Sequence, residues 1–132
     1  MVNARSLKSI PVFAGLDRTE LQRVADCAEE LEVQPGDQLL REGSYAFEFF
    51  ALTRGSAAVV CDGAQVASLG PGDVFGELAA LSHGQRTASV VATAPGTVLF
   101  IRAQDFRHFA EEMPALGNRI RVLVKERQPR LP

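Results

Sequence analysis

Apolar residues recur at helical spacing near the start of the chain. They are separated by three or four residues and so fall on one face of a helix, made of Leu21, Val24, Ala25, Ala28 and Leu31. The preceding Asp17-Arg18-Thr19-Glu20 fits a capping box, in which Asp17 caps the helix and Glu20 reaches back to it. We therefore predict a helix from about Arg18 to Glu30.

From Glu32 to Arg102 the pattern changes to short apolar or alternating segments separated by glycines, which is typical of β-strands and turns. The predicted strands are Glu32–Val33, Gln38–Arg41, Phe47–Thr53, Ser56–Cys61, Gln65–Leu69, Arg86–Ala92 and Thr97–Arg102. Asp62-Gly63 is a two-residue hairpin signal. Pro35-Gly36-Asp37 and Pro71-Gly72-Asp73 each precede apolar residues, and this repeated turn favours a rolled antiparallel sheet, a jelly-roll-like β-roll.

Helical spacing returns after Arg102. One predicted stripe consists of Phe106, Phe109, Ala110 and Met113, and a second consists of Leu116, Ile120, Leu123 and Val124. Pro114 lies between them, where it ends one helix and opens the next. The predicted order is a helix, a β-roll over about 32–102, and two helices within about 103–127. No linker composition interrupts this order, so we predict one domain over residues 1–132.

Composition excludes several classes of protein. The 132 residues are 46% hydrophobic and 23% charged, an ordinary globular mixture that argues against disorder. No apolar run is long enough to span a membrane, and the N-terminal residues lack the apolar region of a secretion signal. Two cysteines, Cys27 and Cys61, are too few for the disulfide framework of a small secreted domain. We therefore expect a cytoplasmic protein with no membrane span.

Charge is unevenly distributed along the chain. The net charge is −2, which argues against nucleic-acid binding by this chain alone. Residues 101–132, however, carry 7 basic and 4 acidic side chains. This basic segment is either a solvated helix end or a surface that contacts nucleic acid, an acidic partner or a membrane.

An isolated pair of charges marks the most informative segment. Between Gly63 and Ile101 the charged residues are Asp73, which belongs to a turn, Glu77 and Arg86. Charges among apolar and small residues need a partner, because burying an unpaired charge is costly. One interpretation is therefore a structural ion pair between Glu77 and Arg86.

The alternative interpretation is a site for a sugar phosphate. Gly76 permits close approach of the backbone, and a short helical turn at residues 77–81 points N–H groups at an anion. Arg86 supplies a forked donor for phosphate oxygens. Glu77 accepts hydrogen bonds and so suits a hydroxyl beside that phosphate, such as a ribose 2′-OH. Spacing alone leaves both interpretations open.

The same segment resembles a known motif. Phe-Gly-Glu-Leu-Ala-Ala-Leu from Phe75, five intervening residues, and Arg-Thr-Ala-Ser-Val from Arg86 are similar to the phosphate-binding cassette of cyclic-nucleotide-binding domains. This family includes catabolite-activator-type regulators, kinase regulatory subunits and cyclic-nucleotide-gated channels. The resemblance covers nearly the whole chain. It implies a β-roll with an N-terminal helix and C-terminal hinge and lid helices.

The resemblance implies a role for each matching residue. Arg86 matches the arginine that holds the exocyclic phosphate oxygens, and Glu77 matches the glutamate that accepts from the ribose 2′-OH. Gly76, Leu78 and Ala88 match positions where backbone groups approach the cyclic phosphate. Thr87 matches a residue that touches phosphate or the purine edge. Thr at this position is compatible with cGMP, but many members with Thr respond to cAMP, so we favour cAMP without excluding cGMP.

The resulting expectation is a non-enzymatic cyclic-nucleotide sensor that needs no cofactor and signals through its C-terminal helices. Candidates to cap the purine are Arg119, Leu123 and Val124, together with Arg121, and the sequence does not choose among them. The expected partners are the cyclic nucleotide and a homodimer or effector domain docked through the C-terminal helix. The alternative is a degenerate β-roll module for interaction or dimerisation that no longer binds nucleotide.

Other chemistry has little support in the sequence. His83, His108, Cys27 and Cys61 lack zinc-ligand spacing, and we expect no metal site. An enzyme built on a related roll needs clustered histidines, and the predicted β-region offers only His83. Four aromatic residues are assigned to packing within the β-roll: Tyr45, Phe47, Phe49 and Phe50.

Overall fold

Helices flank a set of eight β-strands in the computed structural model, which describes residues 2–44, 47–76, 86 and 88–127. The helical elements are α1 (Ala4–Lys8), a 3₁₀ turn (Pro11–Phe13), α2 (Arg18–Cys27), α3 (Ala103–Glu112) and α4 (Pro114–Arg127). The strands are β1 (Ala28–Val33), β2 (Gln38–Leu40), β3 (Glu48–Arg54), β4 (Ala57–Cys61), β5 (Ala64–Leu69), β6 (Val74–Phe75), β7 (Ser89–Ala92) and β8 (Gly96–Arg102).

The strands form two four-stranded antiparallel sheets. One has the order β1-β8-β3-β6 and the other the order β2-β7-β4-β5. Neighbours in each sheet are mostly distant along the chain, as a rolled topology requires. The predicted β-roll with flanking helices is confirmed, whereas α1 and the two-residue strand β6 were not predicted.

The capping box of α2 is confirmed. The Glu20 backbone N–H donates to Asp17 Oδ1 at 2.8 Å, and the Asp17 N–H donates to Glu20 Oε1 at 3.0 Å. The predicted end of the helix at Glu30 is wrong, because the helix stops at Cys27 and Ala28 turns into β1. Pairing of β1 with β8, from Ala28 opposite Ile101 onward, overrides the helical spacing. Leu31, predicted for the buried helix face, is consequently 48% exposed on the strand.

The two Pro-Gly-Asp sequences form the same turn. In the first, the Asp37 carboxylate accepts from the Gln34 N–H at 2.8 Å, and in the second the Asp73 carboxylate accepts from the Gly70 N–H at 2.8 Å. Such side-chain bonds to nearby backbone are a general use of aspartate in turns. The charge of Asp73 is therefore part of the turn that leads into β6, as the sequence predicts.

The Asp62-Gly63 hairpin is also confirmed. It joins β4 to β5, and both turn residues have positive φ, 50° for Asp62 and 79° for Gly63. Positive φ at both central residues matches the twist of a two-residue antiparallel hairpin.

Strand β3 separates two hydrophobic clusters, because alternate side chains point to opposite faces of a strand. Phe49 packs with the helices, and its ring stacks on Phe106 of α3 at 3.9 Å. Phe50 points into the roll, where its ring stacks on Phe75 at 5.1 Å. The strand thus connects the interior of the roll with the C-terminal helices.

The C-terminal helices pack as the sequence predicts. Phe106, Phe109 and Met113 are buried, and Pro114 is the first residue of α4. Three further contacts join these helices to the rest of the fold: the Ala103 N–H donates to the Phe47 carbonyl at 2.8 Å, Arg119 Nη1 donates to the Pro11 carbonyl at 2.9 Å, and Arg23 Nη2 donates to Glu112 Oε2 at 2.6 Å. Among the described residues, no helix has the length and apolar character needed to cross a membrane.

Candidate functional site

Arg86 is the buried charged residue of the described chain. Its side chain is 3% exposed. Its backbone is fixed by the turn after β2, since the Arg86 N–H donates to the Ser44 carbonyl at 2.7 Å and the Gly43 N–H donates to the Arg86 carbonyl at 3.0 Å. The guanidinium is therefore carried by an anchored segment just before β7.

Two main-chain carbonyls orient the guanidinium. Arg86 Nη1 donates to the Gly76 carbonyl at 3.1 Å, and Nη2 donates to the Glu48 carbonyl at 2.6 Å. These two carbonyls therefore set the direction in which the guanidinium points. The nearest carboxylate oxygen among the described residues, Glu48 Oε1, lies 3.9 Å from Nη2, beyond hydrogen-bond distance. The result is an oriented cation in a low-dielectric setting, where electrostatic interactions are strong.

Pairing of β3 with β6 brings these carbonyls together. Phe50 lies opposite Phe75 and Ala51 opposite Val74, so Gly76 emerges from β6 close to the start of β3 at Glu48. The stacked rings of Phe50 and Phe75 form an apolar floor, and Arg86 Cζ lies 6.0 Å from the centre of the Phe50 ring. That separation is within the range of a cation–π contact.

Two features of position 76 favour glycine over any other amino acid: its backbone conformation and the space around its Cα atom. Its φ is +85°, a conformation that favours glycine. A Cβ at this position would lie 2.8 Å from Arg86 Nη1 and 3.3 Å from the Glu48 carbonyl oxygen. The absence of a side chain at Gly76 therefore makes room for the guanidinium.

The other sequence-predicted residues are placed as follows. Ala88 is buried in the cluster inside the roll, next to the start of β7. Glu77, Leu78 and Thr87 lie outside the described residues, as do the predicted helical turn at 77–81, His83 and Tyr45. The predicted roles of Glu77, Leu78 and Thr87, and the alternative ion pair between Glu77 and Arg86, stay predictions.

The candidates for the purine cap all lie on α4. Leu123 and Val124 are half-buried against the helical cluster. Arg119, bonded to the Pro11 carbonyl, and Leu123 line a groove of about 470 Å³ between α4, the 3₁₀ turn and residues 72–74, which form the end of a turn and the start of β6. Arg121 is exposed on the same helix. In this conformation the Arg119 guanidinium is hydrogen-bonded to the backbone of the 3₁₀ turn, near the N-terminus.

Sequence reasoning missed Glu48 as a partner of Arg86 and predicted the position of Phe47 wrongly. Glu48 supplies both a carbonyl and a carboxylate, yet in the sequence it is one glutamate at the edge of an aromatic strand. Only the pairing of β3 with β6 reveals it. Phe47, predicted to pack in the roll, is instead 68% exposed. It lies just before β3, where its carbonyl holds the first N–H of α3.

The cysteines show no sign of activation as nucleophiles. Burial raises the pKa of the Cys61 thiol, and Glu42 and Asp62 raise it further. Burial also raises the pKa of Cys27, with Asp105 and Asp26 adding to the effect. A raised pKa lowers the thiolate fraction, which is the reactive form.

Comparison with known proteins places this geometry in context. The family model described as "Cyclic nucleotide-binding domain" matches residues 30–113. A cAMP-dependent protein kinase regulatory subunit from Hypocrea atroviridis is 33% identical over 117 residues, which cover 89% of this chain and 25% of that protein. The chain thus spans about a quarter of the length of this relative.

Two solved structures resemble the fold closely. A Geobacter metallireducens protein assigned to cyclic-nucleotide binding gives a TM-score of 0.84 at 26% identity, covering 96% of this chain and 98% of that one. The regulatory subunit of a cAMP-independent protein kinase A from Trypanosoma brucei gives a TM-score of 0.81 at 31% identity, covering 94% of this chain and 44% of that one.

Proposed function

Because this chain belongs to the cyclic nucleotide-binding domain family, we propose that it is a non-enzymatic sensor that binds a cyclic nucleotide at Arg86. The observation that carries the proposal is the buried guanidinium of Arg86, held by the carbonyls of Gly76 and Glu48. Those bonds fix the direction of the guanidinium, and an anion that reaches it gains a charge-assisted hydrogen bond. A cyclic phosphate diester carries one negative charge and two exocyclic oxygens, which suits a single forked donor.

The remaining ligand contacts are assigned from the sequence motif. Glu77 accepts a hydrogen bond from the ribose 2′-OH, and Thr87 contacts phosphate or the purine edge. Backbone groups at Gly76, Leu78 and Ala88 approach the cyclic phosphate. The missing side chain of Gly76 and the single methyl group of Ala88 leave room for such an approach, and a Cβ at position 76 would lie only 2.8 Å from Arg86 Nη1.

We place cAMP ahead of cGMP as the ligand. Support comes from the Hypocrea atroviridis relative, whose name describes a cAMP-dependent kinase subunit. The Trypanosoma brucei relative is described as part of a cAMP-independent kinase, so family membership by itself does not fix the response. The ligand therefore has to be assigned by direct titration.

The signal passes to the C-terminal helices, one of whose residues (Arg119, Leu123 or Val124) caps the purine. A ligand shifts a conformational equilibrium only when it binds one state better than the other. The site is physically close to these helices, because Glu48 contacts Arg86 while its neighbour Phe47 holds the first residue of α3.

Helix α4, with Val122 exposed, offers a surface for a second copy or an effector domain. A chain with two cysteines, too few for the disulfide framework of a small secreted domain, is consistent with a cytoplasmic protein.

Calorimetric titration of the purified chain with cAMP, cGMP and 5′-AMP tests the proposal. We expect saturable binding of a cyclic nucleotide and none of 5′-AMP. Arg86→Gln should abolish measurable binding, whereas Arg18→Gln, which removes an exposed charge from α2, should bind as the wild type does. If the folded wild type binds neither cyclic nucleotide, the sensor proposal fails and the degenerate interaction module takes its place.

A further inference from the structure

Glu48 contacts Arg86 in two different ways. Its main-chain carbonyl accepts from Nη2 at 2.6 Å and is fixed by the β3 ladder. Its carboxylate stands 3.9 Å from the same nitrogen, and the side chain is 39% exposed. The carbonyl therefore orients the guanidinium, and the carboxylate is free to leave without moving Arg86.

The carboxylate lies where it opposes an incoming anion. A negative charge about 4 Å from Arg86 offsets part of the attraction that a phosphate would feel there. The carboxylate is partly solvated, so this opposition is moderate rather than prohibitive. An anion that binds Arg86 must displace the carboxylate or tolerate the repulsion.

Arg102 offers an alternative position for the displaced carboxylate. Glu48 and Arg102 are direct register partners between β3 and β8, so their side chains lie on the same face with Cβ atoms about 5 Å apart. Arg102 is exposed and forms no ion pair with another described residue in this conformation.

The position of Arg102 makes such a pairing favourable. It is the N-cap residue of α3 and makes no side-chain capping hydrogen bond. A positive charge at a helix N-terminus is unfavourable and a negative charge there is favourable. A carboxylate that moves to Arg102 therefore relieves both the charge at the helix start and the repulsion at the anion site.

We infer that the Glu48 carboxylate competes with the anion for Arg86. When the anion binds, the Glu48 side chain moves away and its carboxylate pairs with Arg102 at the start of α3. This inference rests on the proposed function of the Arg86 site. It goes beyond that function in two ways: Glu48 lowers the affinity of the site for the anion, and the movement of its negative charge connects the site to the C-terminal helices. The adjacent Phe47 carbonyl already holds the Ala103 N–H, so the movement occurs beside the junction with α3.

Glu48→Gln tests the competitor role, because it removes the charge and keeps the main-chain carbonyl and the side-chain size. We expect cAMP and cGMP to bind about three- to tenfold more tightly, by the same factor for each, since the effect acts on the phosphate. Glu32→Gln is the matched control, because it removes one exposed carboxylate from β1, where the residue pairs with Thr97. Unchanged or weaker binding by Glu48→Gln overturns the competitor role.

Arg102→Gln tests the transfer. This substitution removes the alternative partner, so the Glu48 carboxylate stays near Arg86. In a chain that keeps Glu48, Arg102→Gln should therefore weaken cyclic-nucleotide binding about two- to fivefold. In the Glu48→Gln background the same substitution should have no effect. Equal effects in the two backgrounds overturn the transfer.

A second probe separates this inference from the proposed function. If the wild type binds no cyclic nucleotide, the sensor proposal fails, and the competitor is tested with inorganic phosphate followed by the NMR signal of Arg86 Nε–H. A stronger phosphate response in Glu48→Gln than in the wild type then supports the competitor. Identical responses in the two proteins overturn it.

Discussion

The ring of Phe49 stacks on the ring of Phe106 at a centroid distance of 3.9 Å and an interplanar angle of 6°. Phe49 belongs to β3, one residue after Glu48, and Phe106 belongs to α3. Both rings are fully buried. Helix α3 is thus anchored on β3, the strand that also supplies a carbonyl to Arg86. A movement of β3 therefore displaces α3, and a movement of α3 displaces β3.

Phe106→Ala should lower the free energy of unfolding by about 3–5 kcal/mol, because it removes a buried ring and leaves a cavity beside Phe49. Urea unfolding followed by circular dichroism measures this change. Phe47→Ala is the matched control, since that ring is 68% exposed, and it should change stability little. Equal losses in the two variants would contradict the anchoring role of the stack.

The sequence contains most of the information for the individual elements. The Asp17 capping box, the Asp62-Gly63 hairpin and the Pro114 boundary are local signals, and the structure confirms them because each depends on residues a few positions apart. The end of α2 was predicted wrongly because it depends on Ala28 meeting Ile101, a contact across 73 positions that local spacing does not encode.

The site is less predictable than the fold for the same reason. Arg86 and Gly76 were recognised from residue type and motif, and the structure brings them into contact. Glu48 was not recognised, because its role depends on the pairing of β3 with β6. Its carbonyl is a backbone group that any residue at this position would supply, so no residue-type signal was available.

Glu112→Gln should destabilise the protein in a pH-dependent way. A hydrogen bond from Arg23 lowers the pKa of the Glu112 carboxyl below its usual 4.5. A carboxyl whose pKa is lowered by folding stabilises the native state above its ordinary pKa, and that contribution disappears as the pH falls through the lowered value. The melting temperature of Glu112→Gln should therefore be lower than that of the wild type near neutral pH, and the gap should close below pH 4.5.

Glu111→Gln serves as the control for this experiment, since it removes an exposed neighbouring charge from the same helix. Thermal unfolding of the three proteins between about pH 3 and 7 gives the comparison. A gap between wild type and Glu112→Gln that is constant over this range would exclude the ion pair as its cause.

Glu77→Gln tests the predicted contact with the ribose. If Glu77 accepts from the 2′-OH, the wild type should bind a 2′-deoxy cyclic nucleotide about ten- to a hundredfold more weakly than the parent, as expected for a hydrogen bond to a charged group. Competition titrations measure this ratio in both proteins. We expect a much smaller ratio in Glu77→Gln, and a ratio equal to that of the wild type would remove Glu77 from the site.

Gly76→Ala separates backbone strain from crowding at Arg86. The added Cβ would lie 2.8 Å from Arg86 Nη1, so the guanidinium has to move away from the position that the Gly76 and Glu48 carbonyls define. We expect cyclic-nucleotide binding to weaken about tenfold or more, which corresponds to at least about 1.4 kcal/mol. Placing alanine in a left-handed conformation should also destabilise the fold by about 1–2 kcal/mol.

Gly36→Ala is the matched control, because Gly36 has φ +93° and an added Cβ there meets nothing within 4 Å. It should carry a similar loss of stability, measured by urea unfolding, and leave nucleotide affinity unchanged in calorimetry. Equal losses of affinity in the two variants would attribute the effect of Gly76→Ala to general strain. A loss confined to Gly76→Ala would show that binding depends on the position of the Arg86 guanidinium.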